Sequence, residues 1–256
     1  MGFDVAPEAY TQFMGRFSEP LAVLFAASVG VPATGRVLDV GCGPGALTAE
    51  LVARLGASGV AAVDPSPSFV AATRTRLAGV DVREAAAEHL PFADDAFDLT
   101  VAQLVVHFMD DPVAGLVEMA RVTRPGGGVA ANVWDHAGSD GPLRTFWRAV
   151  HDLDPSHPGE AMLPGTREGH LADLLRAAGL VDVRTWDEAV HAGYASVDEW
   201  WATFTLGVGP AGAHVAALAD DERAALRARC AALLPTAPFT VTAVAWCARG
   251  EVPGRA

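Results

Sequence analysis

The 256-residue chain is 51% hydrophobic and carries a formal net charge of −13, so a wholly disordered protein is excluded. An acidic surface repels phosphate backbones, and we therefore expect no nucleic-acid partner. All 18 basic residues are arginine. Without lysine the chain has no Schiff-base chemistry, no P-loop lysine and no lysine general base.

The cysteines and the apolar runs predict the compartment. Cys42, Cys230 and Cys247 form no C-x-x-C pair, which argues against a zinc site or a disulfide framework and favours a reducing cytoplasm. The apolar run at residues 21–33 is shorter than the ~20 residues of a membrane span, and acidic residues precede it, unlike a signal peptide. The His- and Asp-containing loop 151–157 lacks a ligand spacing that we can assign to a metal, so no metal is predicted.

Strands and helices alternate through the first half of the chain. The patterns predict helices at residues 6–30, 47–55, 68–77 and 112–122, and strands at residues 36–40, 59–64, 80–83, 97–103 and 129–134. A turn is predicted at residues 124–128, where Pro and three glycines follow Arg124. Such alternation is typical of a parallel sheet covered on both faces and doubly wound.

The regular alternation stops after Trp134. Helices are predicted near residues 143–151 and 168–178, and two further strands at residues 181–186 and 239–247. We therefore expect an α/β fold with a seven-stranded, mostly parallel, doubly wound sheet and a helical cap built by insertions. The expected organisation is an N-terminal helical lid (1–35), a binding core (36–134) and the rest of the sheet (135–256), with insertions at 135–165 and 192–235.

A glycine-rich turn after the first strand is the most informative segment. Gly41, Gly43 and Gly45 allow close backbone approach to a ligand, and the helix that follows offers free N–H groups. Gly41, Gly43 and Ala46 also satisfy a dinucleotide-type G-x-G-x-x-A pattern, and Asp64 closes the next strand at the distance where an acid holds ribose hydroxyls. A nicotinamide-linked oxidoreductase therefore remains an alternative.

Asp39 favours a different ligand. It lies two residues before the first glycine, where its carboxylate would repel a pyrophosphate. It suits a ligand with an ammonium or sulfonium group. S-adenosylmethionine carries adenine, ribose, an amino group and a cationic sulfur, with no phosphate.

Five segments in order resemble the motifs of class I S-adenosylmethionine-dependent methyltransferases. They cover about residues 36–134 and comprise VLDVGCGPG (37–45), VDPS (63–66), AEHLPFADDAFD (87–98), QLVVHF (103–108) and the approach to the fifth strand through RPGG (124–127). The subgroup that the chain resembles most is the small-molecule enzymes of ubiquinone and menaquinone biosynthesis. The acid that usually reads adenine is replaced by Ala86 and Ala87, so recognition falls to Glu88 or to backbone.

The resemblance implies a set of site residues. The predicted cofactor-binding residues are Arg16, Asp39, Gly41, Cys42, Gly43, Asp64, Pro65, Ala87, Glu88 and Gln103. His107 is the candidate general base, because it follows the fourth strand near the expected methyl group. Tyr10, Trp134, Phe146, Trp200 and Trp201 are the predicted contacts of the methyl acceptor, and their chemistry implies an apolar or aromatic small molecule.

The predicted reaction is in-line methyl transfer to that small molecule, catalysed mainly by alignment. Without a clear base and with an altered adenine loop, a non-catalytic cofactor-binding accessory protein is a further alternative. The fourth strand lacks the Asn/Asp-Pro-Pro-aromatic signature of base-amino methyltransferases, which argues against a nucleic-acid substrate.

Overall fold

A computed structural model describes residues 6–138 and 140–254, and the first five residues of the predicted lid lie outside that range. The strands are β1 Val37–Val40, β2 Val60–Asp64, β3 Asp81–Glu84, β4 Phe97–Gln103, β5 Thr123–Trp134, β6 Val181–Tyr194 and β7 Phe239–Glu251. The α-helices are α1 Pro7–Tyr10, α2 Arg16–Ser28, α3 Ala46–Leu55, α4 Pro67–Arg76, α5 Pro112–Val122, α6 Arg144–Leu153, α7 His170–Ala177, α8 Val197–Phe204, α9 Gly209–Ala217 and α10 Asp220–Leu233.

The seven strands form one sheet in the order β3-β2-β1-β4-β5-β7-β6. Strands β1 to β5 pair in parallel, whereas β7 runs antiparallel to both β5 and β6. Strands β1 and β2 are buried along their whole length, as expected for a parallel sheet with helices on both faces. The predicted α/β fold is confirmed, and the order reverses between β1 and β4, where such sheets bind their ligands.

Three strands differ from the sequence prediction by more than one residue, and one of them is β7, which continues past residue 247 to Glu251. The turn predicted at 124–128 is wrong, because β5 begins at Thr123 and Gly128 pairs with Glu251 of β7. A Cβ atom at Gly128 would lie 2.7 Å from the Nε of Arg249, so the glycine leaves room for the Arg249 side chain beside β5. Strand β6 does not end at residue 186 but continues to Tyr194, because its second half pairs with β7.

The cap consists of α6, α8, α9 and α10, and the N-terminal helical segment packs against it. Between α1 and α2 the chain forms a π-helical turn, Thr11–Gly15, which buries Phe13 and Met14 against the cap core. Such turns are frequent at functional sites. Within the described ranges, every helix falls short of the length or the hydrophobicity that a membrane span requires.

Candidate functional site

Three adjoining cavities lie at the carboxyl ends of β1, β2 and β4. The large cavity, of about 270 Å³, is lined by Tyr10, Val40, Gly41, Gly43, Asp64, Pro65, Ser66, Phe69, Ala86, Ala87, Glu88, Gln103, Leu104, Val105, Phe108, Met109 and Asp110. The inner cavity lies under the cap and is lined by Tyr10, Phe13, Met14, Leu104, His107, Phe108, Trp134, His136, Leu143, Glu160 and residues 208–211. The loop cavity is lined by Tyr10, Ser18, Asp39, residues 41–44, Ala46, Leu47 and Gln103.

The glycine turn opens the wall of the large cavity. Gly41 has φ +70°, and a Cβ atom there would lie 2.4 Å from a methyl group of Val105, so a larger residue does not fit. Gly43 has φ +52°, and a Cβ atom there would meet nothing within 4 Å. Its backbone therefore borders open space at the cavity, as a close approach to a ligand requires.

Asp39 is a buried carboxyl group without a cationic partner. It is 1% exposed, Thr48 Oγ1 donates a 2.6 Å hydrogen bond to its Oδ2, and no salt bridge to it occurs among the described residues. Burial raises the pKa of Asp39 to about 7, and the nearby charge of Asp64 adds to the increase, while the Thr48 bond opposes it. A bound cation would stabilise the ionised form, so the site fits an ammonium group.

Asp64 connects the glycine turn to the end of β2. Its Oδ2 accepts a 2.8 Å hydrogen bond from the N–H of Gly43, and its Oδ1 accepts one from Ser66. Burial raises the pKa of Asp64, and the two backbone hydrogen bonds work in the opposite direction. Each carboxylate oxygen accepts more than one hydrogen bond, so both remain available to ribose hydroxyls in the large cavity.

The end of β4 is held in an unusual conformation. Leu104 has φ +62°, a left-handed conformation that leucine rarely adopts, and its N–H donates to the side chain of Asn132 at 3.0 Å. The preceding Gln103 donates from Nε2 to the carbonyl of Ser18, and its buried Oε1 has no partner. Such strain is concentrated at functional sites, and here it brings Leu104 to the large and inner cavities together.

Pro65, Ala87 and Glu88, which the sequence analysis expects to contact the cofactor, line the large cavity together with residues that it did not name. Phe69 packs edge-on against Tyr10, with ring centroids 5.5 Å apart. Further lining residues missed by the sequence analysis are Phe108, Met109 and Asp110. Phe69 follows a proline that begins a helix, and Phe108 follows the end of a strand. At both positions the hydrophobic pattern of the sequence is the same for a cavity-lining side chain as for a core side chain. Glu88 Oε1 accepts a 3.3 Å hydrogen bond from Asp111 N.

His107 lies on the inner cavity, separate from the large one. Its side chain is 4% exposed, and its Nδ1 has no hydrogen-bond partner. Burial, with a smaller contribution from His136, holds the pKa of His107 well below its usual range. Burial also lowers the pKa of His136 to about 4. Both imidazoles are therefore neutral at pH 7, and His107 is a weak proton acceptor.

Glu160 is a buried acid on the inner cavity that the sequence analysis did not name. Its side chain is 3% exposed on the inner cavity, and Trp147 Nε1 donates a 2.6 Å hydrogen bond to its Oε2. Burial raises the pKa of Glu160 to about 7, and the bond from Trp147 opposes the increase. A single acid in a proline-rich loop has no periodicity or motif, so the sequence carries no signal for it.

Four predicted site residues lie away from all three cavities. Arg16 donates to Glu199 at 2.5 Å and to the carbonyl of Gly193 at 2.9 Å, so it connects α2 to the cap instead of binding a cofactor carboxylate. Phe146, Trp200 and Trp201 are buried in the core of the cap. The assignment of these three residues to the acceptor is corrected, because they pack around one another and Phe204.

The other predicted residues do come together. Tyr10 borders all three cavities, Trp134 lines the inner cavity and Cys42 lines the loop cavity. The indole Nε1 of Trp134 is buried without a partner. Among residues 6–138 and 140–254, no group of three or more His, Cys, Asp or Glu side chains could hold a metal ion.

Comparison with known proteins places this site in a family. Residues 38–131 match the model of a methyltransferase domain. A trans-aconitate 2-methyltransferase of Methylobacterium nodulans is 30% identical over 76% of this chain and 70% of its own length. The chain belongs to the class I S-adenosylmethionine-dependent methyltransferases. It is also 34% identical to an uncharacterised Mycobacterium tuberculosis protein over 67% of each chain.

One partial sequence match and two solved structures with a similar fold agree with this family. A demethylmenaquinone methyltransferase of a Mycobacterium species is 46% identical over 40% of this chain and 42% of its own length. The YcgJ protein of Bacillus subtilis shares the fold, with a TM-score of 0.59 and 19% identity over 92% of this chain and all of its own. A Haemonchus contortus N-methyltransferase, solved with S-adenosylhomocysteine, has a TM-score of 0.58 and 17% identity over 97% of this chain and 57% of that chain.

Proposed function

We propose that this methyltransferase holds S-adenosylmethionine across the large and loop cavities and methylates a small, mainly apolar molecule that enters the inner cavity. The observation that carries the proposal is Asp39, a buried carboxyl group at the end of β1 with no cation beside it. The bound cofactor would supply a methyl group activated by a cationic sulfur. Everything else is supplied by side chains that bind, orient and exclude water.

Different lining residues would contact different parts of the cofactor. Asp39 would pair with the amino group, and the buried, unpartnered Oε1 of Gln103 lies on the same loop cavity to accept a further hydrogen bond. Asp64 would accept the ribose hydroxyls, and the backbone of Gly41 and Gly43 would allow close approach. The adenine would lie beside residues 86–88, where backbone and Glu88 are the available polar groups.

The apolar walls of the inner cavity support a small organic acceptor. Its lining includes the apolar side chains of Phe13, Met14, Leu143 and Phe108, together with Trp134. The relative named demethylmenaquinone methyltransferase supports the same class. The net charge of −13 argues against nucleic acid, whose phosphates an acidic protein repels.

The site opposes the nicotinamide alternative. Asp39 and Asp64 both border the glycine turn, and the negative charge of each carboxylate would repel an anionic ligand group placed there. A pyrophosphate would add two such charges without an arginine or lysine among the described lining residues to offset them.

The test uses S-adenosylmethionine with an isotopically labelled methyl group. The wild type is incubated with this cofactor and a pool of small phenolic, amine and carboxylic acceptors, and labelled products are identified by mass spectrometry. We expect label in a small-molecule product with the wild type, and a loss of at least tenfold with Asp39→Asn because the ammonium partner is lost. Label in no product, together with hydride transfer from NADH to a carbonyl compound, would overturn the proposal.

A further inference from the structure

We infer that Glu160 is the catalytic base of this enzyme, and that the acceptor is an uncharged molecule methylated on a hydroxyl oxygen. This inference rests on the proposed function, because it names the chemistry of the acceptor in the inner cavity. Glu160 replaces His107 in the role that the sequence analysis gave to the histidine.

The inner cavity contains a buried acid with no structural explanation. Glu160 is 3% exposed, it is absent from the salt bridges of the described residues, and its one side-chain hydrogen bond is the donation from Trp147. A buried carboxyl group that lacks a cation destabilises a fold when it ionises. A carboxyl group retained at that cost beside the acceptor site is a candidate for proton transfer.

Two further polar groups line the same cavity without partners. His107 Nδ1 and Trp134 Nε1 are both fully buried, and neither makes a hydrogen bond with residues 6–138 or 140–254. Buried polar atoms are rarely left unpaired. The inner cavity has a volume of about 30 Å³, and the polar edge of an acceptor that enters it would satisfy both atoms.

The charges around the cavity select the acceptor. A carboxylate acceptor would meet Glu160 and no arginine among the described lining residues. A protonated amine could pair with Glu160, but its nitrogen has no lone pair to accept a methyl group. An uncharged hydroxyl has the lone pair and avoids the repulsion that a carboxylate would meet, and it is a poor nucleophile until its proton is removed, which is the step that a base assists.

The proposed step transfers a methyl group to the acceptor oxygen and a proton to Glu160. A lone pair of the hydroxyl oxygen forms the new O–CH₃ bond while the methyl–sulfur bond breaks and its electron pair stays on sulfur. The O–H bond breaks, and its proton goes to the Glu160 carboxylate. The positive charge of the sulfonium and the negative charge of Glu160 are both neutralised, and the glutamic acid later releases its proton to water.

The cap holds this carboxyl group in place. Trp147, its hydrogen-bond donor, stacks on His157 with ring centroids 5.3 Å apart and an interplanar angle of 22°, and His157 lies edge-on against His214 at 4.6 Å. The indole therefore has neighbours on its far side, and its N–H orients the carboxyl group. Through Trp147, α6 therefore positions Glu160, while residues 209–211 of α9 line the cavity.

The test compares the wild type, Glu160→Gln and Glu188→Gln. The glutamine at position 160 can still accept from Trp147, and Glu188 is a second buried glutamate that accepts from Ser28 and Trp186 and lines none of the cavities. The acceptors are a series of para-alkyl phenols and the matching arylthiols, which ionise at lower pH and do not need a base.

Three results are expected. Glu160→Gln lowers kcat for phenols by about 10²-fold or more, leaves KM for S-adenosylmethionine nearly unchanged, and lowers kcat for arylthiols much less. The loss of phenol kcat exceeds that with Glu188→Gln. In the S-adenosylhomocysteine complex, the infrared band of a protonated carboxyl group, absent from Glu160→Gln, disappears as pH rises through about 7. The other titratable side chains on the cavity lining are Tyr10, His107 and His136, and behind it lie His157, His214 and the exposed Asp154, whose pKa is held below its usual range by Ser156.

The contrary outcomes are distinct. Equal phenol kcat in Glu160→Gln and the wild type overturns the role of Glu160, as does an infrared spectrum that shows an ionised carboxylate at pH 5. A wild type that binds S-adenosylmethionine and methylates none of the phenols overturns the proposed acceptor class. A wild type that binds no S-adenosylmethionine overturns the proposed function itself.

Discussion

Asp39→Asn is expected to stabilise the ligand-free protein, and the gain should grow with pH. The folded-state pKa of Asp39 is about 7, against 3.8 for an unperturbed carboxyl group. A raised acid pKa means that the folded state binds more protons than the unfolded state between those values, so the Asp39 contribution falls as pH rises. Three pKa units at 1.36 kcal/mol each give a penalty of about 4 kcal/mol above pH 7.

The assay is chemical denaturation of the wild type and Asp39→Asn at pH 5 and pH 8. Asparagine keeps an acceptor for Thr48 Oγ1, so its main effect is to remove the ionisable group. From pH 5 to pH 7, a span of two pH units, the free energy of unfolding of the wild type falls by about 3 kcal/mol relative to that of the variant. The free energy of unfolding of Asp39→Asn should therefore exceed that of the wild type by about that much more at pH 8 than at pH 5.

Asp98→Asn is the matched control, because its pKa shift has the opposite sign. Arg124 and the N–H of Arg36 hold the pKa of Asp98 below its usual range. Its stabilising contribution is present at both pH 5 and pH 8, so Asp98→Asn should destabilise the protein at each pH. A stability difference for Asp39→Asn that stays constant between pH 5 and pH 8 would refute the reasoning about its burial.

Three further predictions concern the cap and the cavities. Arg16→Ala should leave S-adenosylhomocysteine affinity within about threefold of the wild type in calorimetry, because the pair with Glu199 is exposed and faces the cap. A tenfold loss would place Arg16 in the cofactor site. Phe146→Ala should lower the free energy of unfolding by about 3–5 kcal/mol in denaturant titrations, as for a core aromatic, and a loss under 1 kcal/mol would contradict its burial. NMR titration should show that the His136 ring is neutral at pH 6. The free energy of unfolding should fall as pH drops from 6.5 to 4, because His136 in the unfolded chain takes up a proton at higher pH than in the folded protein. A measured ring pKa near 6.5 would contradict this prediction.

The core of the fold was predictable because its signals are local. Strand β4 and helix α5 have the predicted bounds, since a buried apolar run and an N-terminal proline define them. The second half of β6 was missed although Glu188, Val190, Ala192 and Tyr194 alternate as buried residues. Its pairing with β7, some 50 residues away, makes this segment a strand, and no local pattern of turn residues marks its end.

Part of the candidate site was likewise predictable from local sequence signals, and part was not. Asp39, Asp64 and the glycines are adjacent to strand ends, so topology alone brings them together. The sequence does not indicate which way an aromatic side chain faces: Phe146 of α6 packs in the cap core, while Trp134 at the end of β5 lines a cavity. Glu160 reaches its cavity through contacts between α6 and a loop, and only tertiary packing creates them.

Calorimetric titration of S-adenosylhomocysteine at pH 8 tests the central claim most directly, namely that the carboxylate at the end of β1 selects a cationic, phosphate-free nucleoside. Wild type should bind it with 1:1 stoichiometry and Asp39→Asn should bind at least tenfold more weakly, since a buried charge pair is broken. NADH should give no heat of binding to either protein. Equal affinity in the two proteins, or binding of NADH in preference to S-adenosylhomocysteine, would contradict the account.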